Sequence, residues 1–225
     1  FKLVLPHLKP HFALVLCIGI AAAIPGTAHS QRQWGSYGGS PGGGHYSPLT
    51  QVTPANVTEL ELVWEHRSGD FRPAREGAPG SRFGDADGPR PQSALQVTPI
   101  VVNDTLYYCT PFNRVFALDA ATGKERWVYD PKVDTDPVAL TNCRGVSSWR
   151  NPSPTGEACD HRIFTGTLDG RLIALDGATG KPCEDFGAGG QLDLREGLGE
   201  DIRHEYGITS PPAILGNLVI TGAMV

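Results

Sequence analysis

Beyond its first thirty residues, apolar residues in this chain come in short runs, with no long stretch of helical period. "QVTPIVV" from Gln96 is followed by the pair Asn103-Asp104, and then by "TLYYCT" from Thr105. After a short connector come "RVFALD", the turn-like "AATGK" and "RWVYD". The same rhythm returns downstream. Residues 162–167 form a β-rich run, Asp169-Gly170 is a hairpin signal, and residues 171–176 alternate as a return strand. "GATG" then turns the chain again, and a further run is expected to begin near Cys183. Runs of this length, bounded by Gly, Asn, Asp and Pro, predict antiparallel meanders of about four short strands.

The meanders are written as a repeat. "ALDAATGKERWVYD" starts at Ala117, and "ALDGATGKPCEDFG" starts fifty-seven positions later at Ala174. A four-stranded meander cannot cover both of its faces alone, so repetition implies stacking on neighbours. Four-stranded units arranged around an axis make a β-propeller. The motif then has a physical reading. Ala117 is small where its strand meets a neighbouring sheet. Asp119 and Thr122 can bond turn backbone, and Gly123 can take positive φ. Trp127 offers a flat surface to the next unit, whereas Glu184 stands at its place in the second copy. "NVTELELVWEH" reads as the end of an earlier unit, with Trp64 in the Trp127 role. The expected fold is all-β: a partial β-propeller.

Composition narrows the setting. The net charge is −5 with no Lys/Arg block, which excludes nucleic acid as a partner class. Lys2 and Lys9 precede a 13-residue apolar stretch, residues 12–24, and small residues follow at Ala28 and Ser30. This reads as a signal peptide over residues 1–30, cut near Ser30–Gln31, with residues 31–225 as the folded part. The alternative is the end of a membrane helix, although 13 residues span only about 20 Å as helix. Export to the periplasm agrees with Cys109, Cys143, Cys159 and Cys183, an even set suited to disulfides in any of three pairings. Their spacings of 34, 16 and 24 do not make a zinc pattern. The polar, Gly/Pro-rich segment 71–95 reads as a solvated loop, and its "DAD" lacks the glutamate of an EF-hand.

"AxDxxTGKxxW" resembles the docking motif of quinoproteins, the dehydrogenases that use pyrroloquinoline quinone. "YGGSPGGGHYSPLTQVTPANVTELELVW" resembles the opening of their catalytic domain. "VTPIVVNDTLYYCTPFNRVFALDAATGKERW", "CRGVSSW", "RIFTGTLDGRLIALDGATGKPCEDFG" and "YGITSPPAILGNLVITGAMV" are similar to the glucose-dehydrogenase branch. The likeness runs from Trp34 to Val225 and implies the N-terminal part of an eight-bladed propeller of roughly 600 residues, of which this chain would form about three blades carrying tryptophan-docking repeats. It further implies oxidation of a sugar or polyol by hydride transfer to the quinone. Electrons would pass to a quinone or cytochrome acceptor, with association at the inner membrane.

The resemblance also implies site residues. Arg144 in "NCRGVSSW" matches the arginine that pairs with the cofactor, and its planar fork suits a carboxylate. Thr209 in "ITSPP" matches a threonine that contacts the cofactor. Thr221, Gly222 and Ala223 match the segment that approaches the ring edge. Gln96 stands where relatives often carry glutamate. Phe112 replaces a histidine of some glucose enzymes, and His45 an arginine. Met224 takes the place of a calcium-ligating glutamate of the alcohol branch. No metal ligand is assigned in this chain; most calcium ligands are expected outside it, and the catalytic base beyond Val225. The competing reading is a non-enzymatic propeller scaffold of the cell envelope, which would have no use for "CRGVSSW" or "YGITSPP".

Overall fold

A computed structural model describes residues 2–6, 33–40, 42–73, 93–135, 141–199 and 206–224. The apolar stretch 12–24, the cleavage region and residues 74–92 of the long polar loop lie outside the described residues. Among the described residues no helix is long and apolar enough to cross a membrane. Among the described residues the fold is all-β apart from one 3₁₀ turn, Val57–Glu59.

Two four-stranded antiparallel sheets dominate. The first blade runs in chain order: β4 (Ile100–Val102), β5 (Thr105–Cys109), β6 (Val115–Asp119) and β7 (Glu125–Tyr129). The second is β9 (Ser147–Arg150), β10 (His161–Gly166), β11 (Arg171–Asp176) and β12 (Gln191–Asp193). A hairpin of β13 (Ala213–Leu215) and β14 (Leu218–Ile220) follows. At the other end β1 (Lys2–Pro6) pairs antiparallel with β2 (Leu60–Glu65). Two very short strands, β3 (Ser93–Ala94) and β8 (Thr141–Asn142), pair in parallel.

The tight turns follow from residue type. Asn103 and Asp104 both take positive φ, 50° and 55°, as a two-residue hairpin turn requires. The last strand of the second blade departs from the sequence reading. Only an isolated bridge, Leu175 to Pro182, forms near Cys183, and β12 begins at Gln191. Pro182 brings no N–H to a ladder, and Gly187, Gly189 and Gly190 all take positive φ, so the chain loops before it pairs.

Alternate residues of each central strand serve different interfaces. Tyr107, Cys109, Val115 and Ala117 of the first blade pack with Ile163, Ile173 and Leu175 of the second. Leu106, Tyr108, Phe116 and Leu118 face the other way, onto Trp64. In the second blade Phe164 and Ala174 turn toward Ile214 and Val219 of the hairpin. Because both faces are covered, β5, β6 and β11 read as almost unbroken apolar runs.

The repeated turns join these layers. Trp64 lies against Gly123 and donates its indole N–H to the Ala120 carbonyl at 3.2 Å. Trp127 does the same one layer on, lying against Gly180 and donating to Gly177 O at 3.1 Å. A Cβ at Gly123 or Gly180 would sit 2.5 or 2.6 Å from the ring, and both glycines hold φ near 70°. Asp119 and Asp176 brace the turns by accepting from Thr122 and Thr179 respectively. The disulfides are Cys109–Cys143 and Cys159–Cys183, one of the three open pairings.

Candidate functional site: a cationic junction at Arg144

Arg144 sits on the connector between β8 and β9, directly after Cys143. The Cys109–Cys143 disulfide ties that connector to the end of β5. The backbone of Arg144 joins two further segments: its N–H donates to Thr209 O at 2.8 Å, and its C=O accepts from Thr98 N–H at 3.0 Å. The next residue must be small, since a Cβ at Gly145 would lie 3.2 Å from Thr98 O and 3.4 Å from Pro211. The guanidinium Nη1 donates to Thr209 Oγ1. Arg144 and Thr209, 65 residues apart, are therefore in direct contact.

Gln96 joins them through the parallel β3–β8 pair. That ladder sets Ala94 opposite Asn142, and Asn142 Nδ2 donates to Gln96 Oε1 at 2.9 Å. Asn142 is 4% exposed. Sequence reasoning missed it, although it lies two positions before Arg144 inside the quoted "NCRGVSSW".

Thr221, Gly222 and Ala223 arrive from the other side. Met224 exchanges two backbone bonds with Gly207, at 2.8 and 3.1 Å, which sets this segment beside the 207–209 run. Thr221 Oγ1 donates to Gly222 O at 3.1 Å, and the space beside Gly222 is open. These three residues border the junction; the side-chain bonds at its centre belong to Gln96, Asn142, Arg144 and Thr209. A cavity of about 430 Å³ adjoins Arg144, lined also by Gly38, Ser147, Ser148, Ser210 and Ile214.

Charge separates Arg144 from five of the other arginines. Arg114, Arg126, Arg162, Arg171 and Arg195 each pair with an aspartate. Among the described residues Arg144 has no carboxylate partner, although it is half-buried. A guanidinium with neutral donors around it is a ready partner for a carboxylate. The junction therefore offers an anion one cation beside the cavity, the Arg144 guanidinium, held in place by Thr209 Oγ1.

Phe112 lies elsewhere, under the Arg72 guanidinium at 5.2 Å. His45 is exposed and meets the Tyr37 ring edge-on at 5.9 Å. Cys159, Cys183 and Asp185 cluster, but both sulfurs are spent in the disulfide.

Stacked four-stranded blades, keyed by tryptophan on glycine, define a segment of a β-propeller with a cationic junction between blades. The chain belongs to the glucose/ethanol/alcohol dehydrogenase β-propeller domain family that carries the PQQ designation, which matches residues 34–225. It is 34% identical to quinoprotein glucose dehydrogenase A of Acinetobacter calcoaceticus, over 91% of this chain and 25% of that protein. The large subunit of glycerol dehydrogenase from Gluconobacter oxydans is 36% identical, over 83% of this chain and 24% of that protein. Among solved structures, the quinohemoprotein alcohol dehydrogenase of Comamonas testosteroni superposes with a TM-score of 0.63 at 26% identity, over 87% of this chain and 26% of that one. This chain thus spans about a quarter of the length of the curated relatives it matches.

Proposed function

We propose that this chain is the N-terminal part of a quinoprotein dehydrogenase that oxidises a sugar or polyol, and that Arg144 is its principal contact to pyrroloquinoline quinone. The observation that carries the reading is the half-buried Arg144 guanidinium, held by Thr209 and without a carboxylate of its own among the described residues. Asn142 orients Gln96, and both lie within one short ladder of Arg144, so they belong to the same cradle. Thr221, Gly222 and Ala223 border it. The quinone, when bound, supplies the two-electron acceptor for substrate oxidation. The chain's own residues bind and orient it: Arg144 neutralises a carboxylate, and Thr209 fixes the guanidinium plane. A calcium ion at the quinone, its ligands and the catalytic base are assigned to parts of the protein outside this chain. Export to the periplasm, association with the inner membrane and electron delivery to a quinone or cytochrome complete the proposal.

The test uses the full-length protein, stripped of quinone and titrated with it. Removing the partner of a desolvated carboxylate costs about 2–5 kcal/mol, so Arg144→Ala should weaken quinone binding by about 30-fold to several-thousand-fold. Arg144→Lys should recover only part of it, because a point charge lacks the fork. Arg67→Ala removes the same charge from an exposed pair with Glu65 and should change nothing. Wild-type quinone affinity in Arg144→Ala would sink the assignment.

A further inference from the structure

Asn113 is fully buried, and its Nδ2 has no hydrogen-bond partner. It occupies the β5–β6 turn with φ of 62°, where its N–H donates to Thr110 O at 2.9 Å. The equivalent turn of the second blade shows what this position needs. Aligning "RVFALD" with "RLIALD" sets Asn113 opposite Gly170, whose φ is 78°. Glycine alone therefore satisfies the backbone, and it would bury no orphan donor, a costly feature in a protein interior. The carboxamide at 113 has another use. Its Oδ1 accepts the Leu168 N–H at 2.9 Å, from the corresponding turn of the next blade. The residue opposite Leu168 in the first blade is Pro111, which has no N–H to satisfy. Acceptor and donor thus occur once each, across the seam between the blades.

From that seam a short chain of contacts leads to Arg144. Thr167 O, next to Leu168, accepts Ile208 N–H at 2.9 Å. Gly207 presses on Leu168, where a Cβ would lie 2.8 Å from its carbonyl oxygen, and Gly166 presses on the Ile208 side chain. The following residue is Thr209, which accepts from both the backbone and the guanidinium of Arg144. The 167–170 turn is thus the platform for the 207–209 run, and that run aims Arg144.

We propose that Asn113 is a positioning residue for the Arg144 site: it locks the second blade's turn to the first blade and so fixes the Thr209–Arg144 pair. This rests on the reading that Arg144 binds the quinone. A residue that acts through another should lose its effect when the other is gone. In full-length protein freed of quinone, Asn113→Gly keeps the positive φ and removes only the carboxamide. It should weaken quinone binding by about 5- to 20-fold in the wild-type background and by less than about twofold in Arg144→Ala. Asn113→Asp keeps an acceptor for Leu168 N–H and should fall between wild type and Asn113→Gly. It also serves if the glycine variant does not fold.

Hydrogen exchange of the quinone-free protein gives a readout without ligand: Asn113→Gly should speed exchange of the 166–168 and 207–209 amides. Equal losses of affinity in both backgrounds would make Asn113 a general structural residue and overturn the proposal. So would unchanged exchange at 207–209 or unchanged affinity in Asn113→Gly. If Arg144→Ala itself binds quinone normally, the cofactor reading fails, and faster exchange in Asn113→Gly would show that the fault lies there and not in the latch.

Discussion

The two blades share strand order and turn chemistry, yet they grip their next neighbours differently. The first uses the flat ring of Trp127, from its outermost strand, on the Gly180 turn. The second has Glu184 at that place and begins its outer strand only at Gln191. Its substitutes lie elsewhere. Trp149, on β9, donates its indole N–H to Gly216 O of the next hairpin at 3.0 Å. Within the second blade itself the Cys159–Cys183 disulfide ties the β9–β10 loop to the chain just after β11, and Arg162 stacks over Trp149 while pairing with Asp185, so these contacts brace the mount of that ring and not the seam. Coupling between layers is thus a requirement of the stack, and one aromatic ring is only one way to meet it.

The sharpest way to break this comparison is to remove the rings. Trp127→Ala deletes a packed indole and its bond to Gly177, so full-length protein should lose about 3–5 kcal/mol in urea unfolding. Trp149→Ala should lose less, because its indole N–H is exposed. Equal losses would mean that the second seam depends on its ring as much as the first does.

The disulfides come next. Removing either pair should cost about 3 kcal/mol, and closed loops of 34 and 24 residues differ by only about 0.3 kcal/mol in chain entropy. Loop length therefore cannot separate them, but position can. Replacing Cys109 and Cys143 by serine should also weaken quinone binding, since Cys143 precedes Arg144. Replacing Cys159 and Cys183 should lower stability alone. Equal effects on quinone affinity would contradict this division.

A third contrast is pH-dependent. His161, the first residue of β10, packs edge-on against Tyr107 at 5.8 Å, while its counterpart Asp104 in the first blade is exposed. Burial, aided by the Arg150 charge, lowers the His161 pKa to about 4. The folded state then binds fewer protons than the unfolded chain between about pH 6.5 and 4, so stability is full above that window and falls as pH drops through it. The loss should reach about 2–3 kcal/mol. His161→Gln should flatten urea-unfolding profiles across that window. An unchanged slope would assign the acid sensitivity to other groups.

How much of this was legible follows from the same physics. The central strands were readable because both faces are buried, leaving continuous apolar runs between turn residues such as Asn103-Asp104 and Asp169-Gly170. The docking of Trp64 and Trp127 was readable because the motif repeats. The late start of β12 was not, since the apolar signal near Cys183 says nothing of a glycine loop that delays pairing. The site was half legible. Arg144, Gln96 and Thr209 stood out through family motifs; Arg144 and Thr209 lie in direct contact, and Gln96 bonds Asn142 two positions before Arg144. Asn142 and Asn113 act through single polar bonds across 46 and 55 residues, which leave no periodic trace. The disulfide pairing depended on which loops the fold brings together, Cys109 with Cys143 across the seam and Cys159 with Cys183 inside the second blade.

The smallest contrast lies in the turns themselves. Asp119 is held low, at a pKa of about 2, by Arg126 first and then by the hydroxyl and N–H of Thr122. Asp176 is lowered too. Burial opposes its ionisation, but the Cys159 N–H and the Thr179 hydroxyl and N–H outweigh that. Each carboxylate therefore stabilises the fold above the ordinary carboxylate range, and that contribution fades as pH falls toward about 2 for Asp119. The two should differ in their response to salt. The Arg126–Asp119 pair is open to solvent, so ions screen it, whereas the Asp176–Cys159 bond uses a backbone donor on a carboxylate that is only 6% exposed. Asp119→Asn should lower the melting temperature slightly in dilute buffer and hardly at all in molar salt. Asp176→Asn should lower it further, and by the same amount in both. If salt erases the effect of Asp176→Asn as well, the two turns are electrostatically alike, and the distinction between the blades is confined to their outer strands.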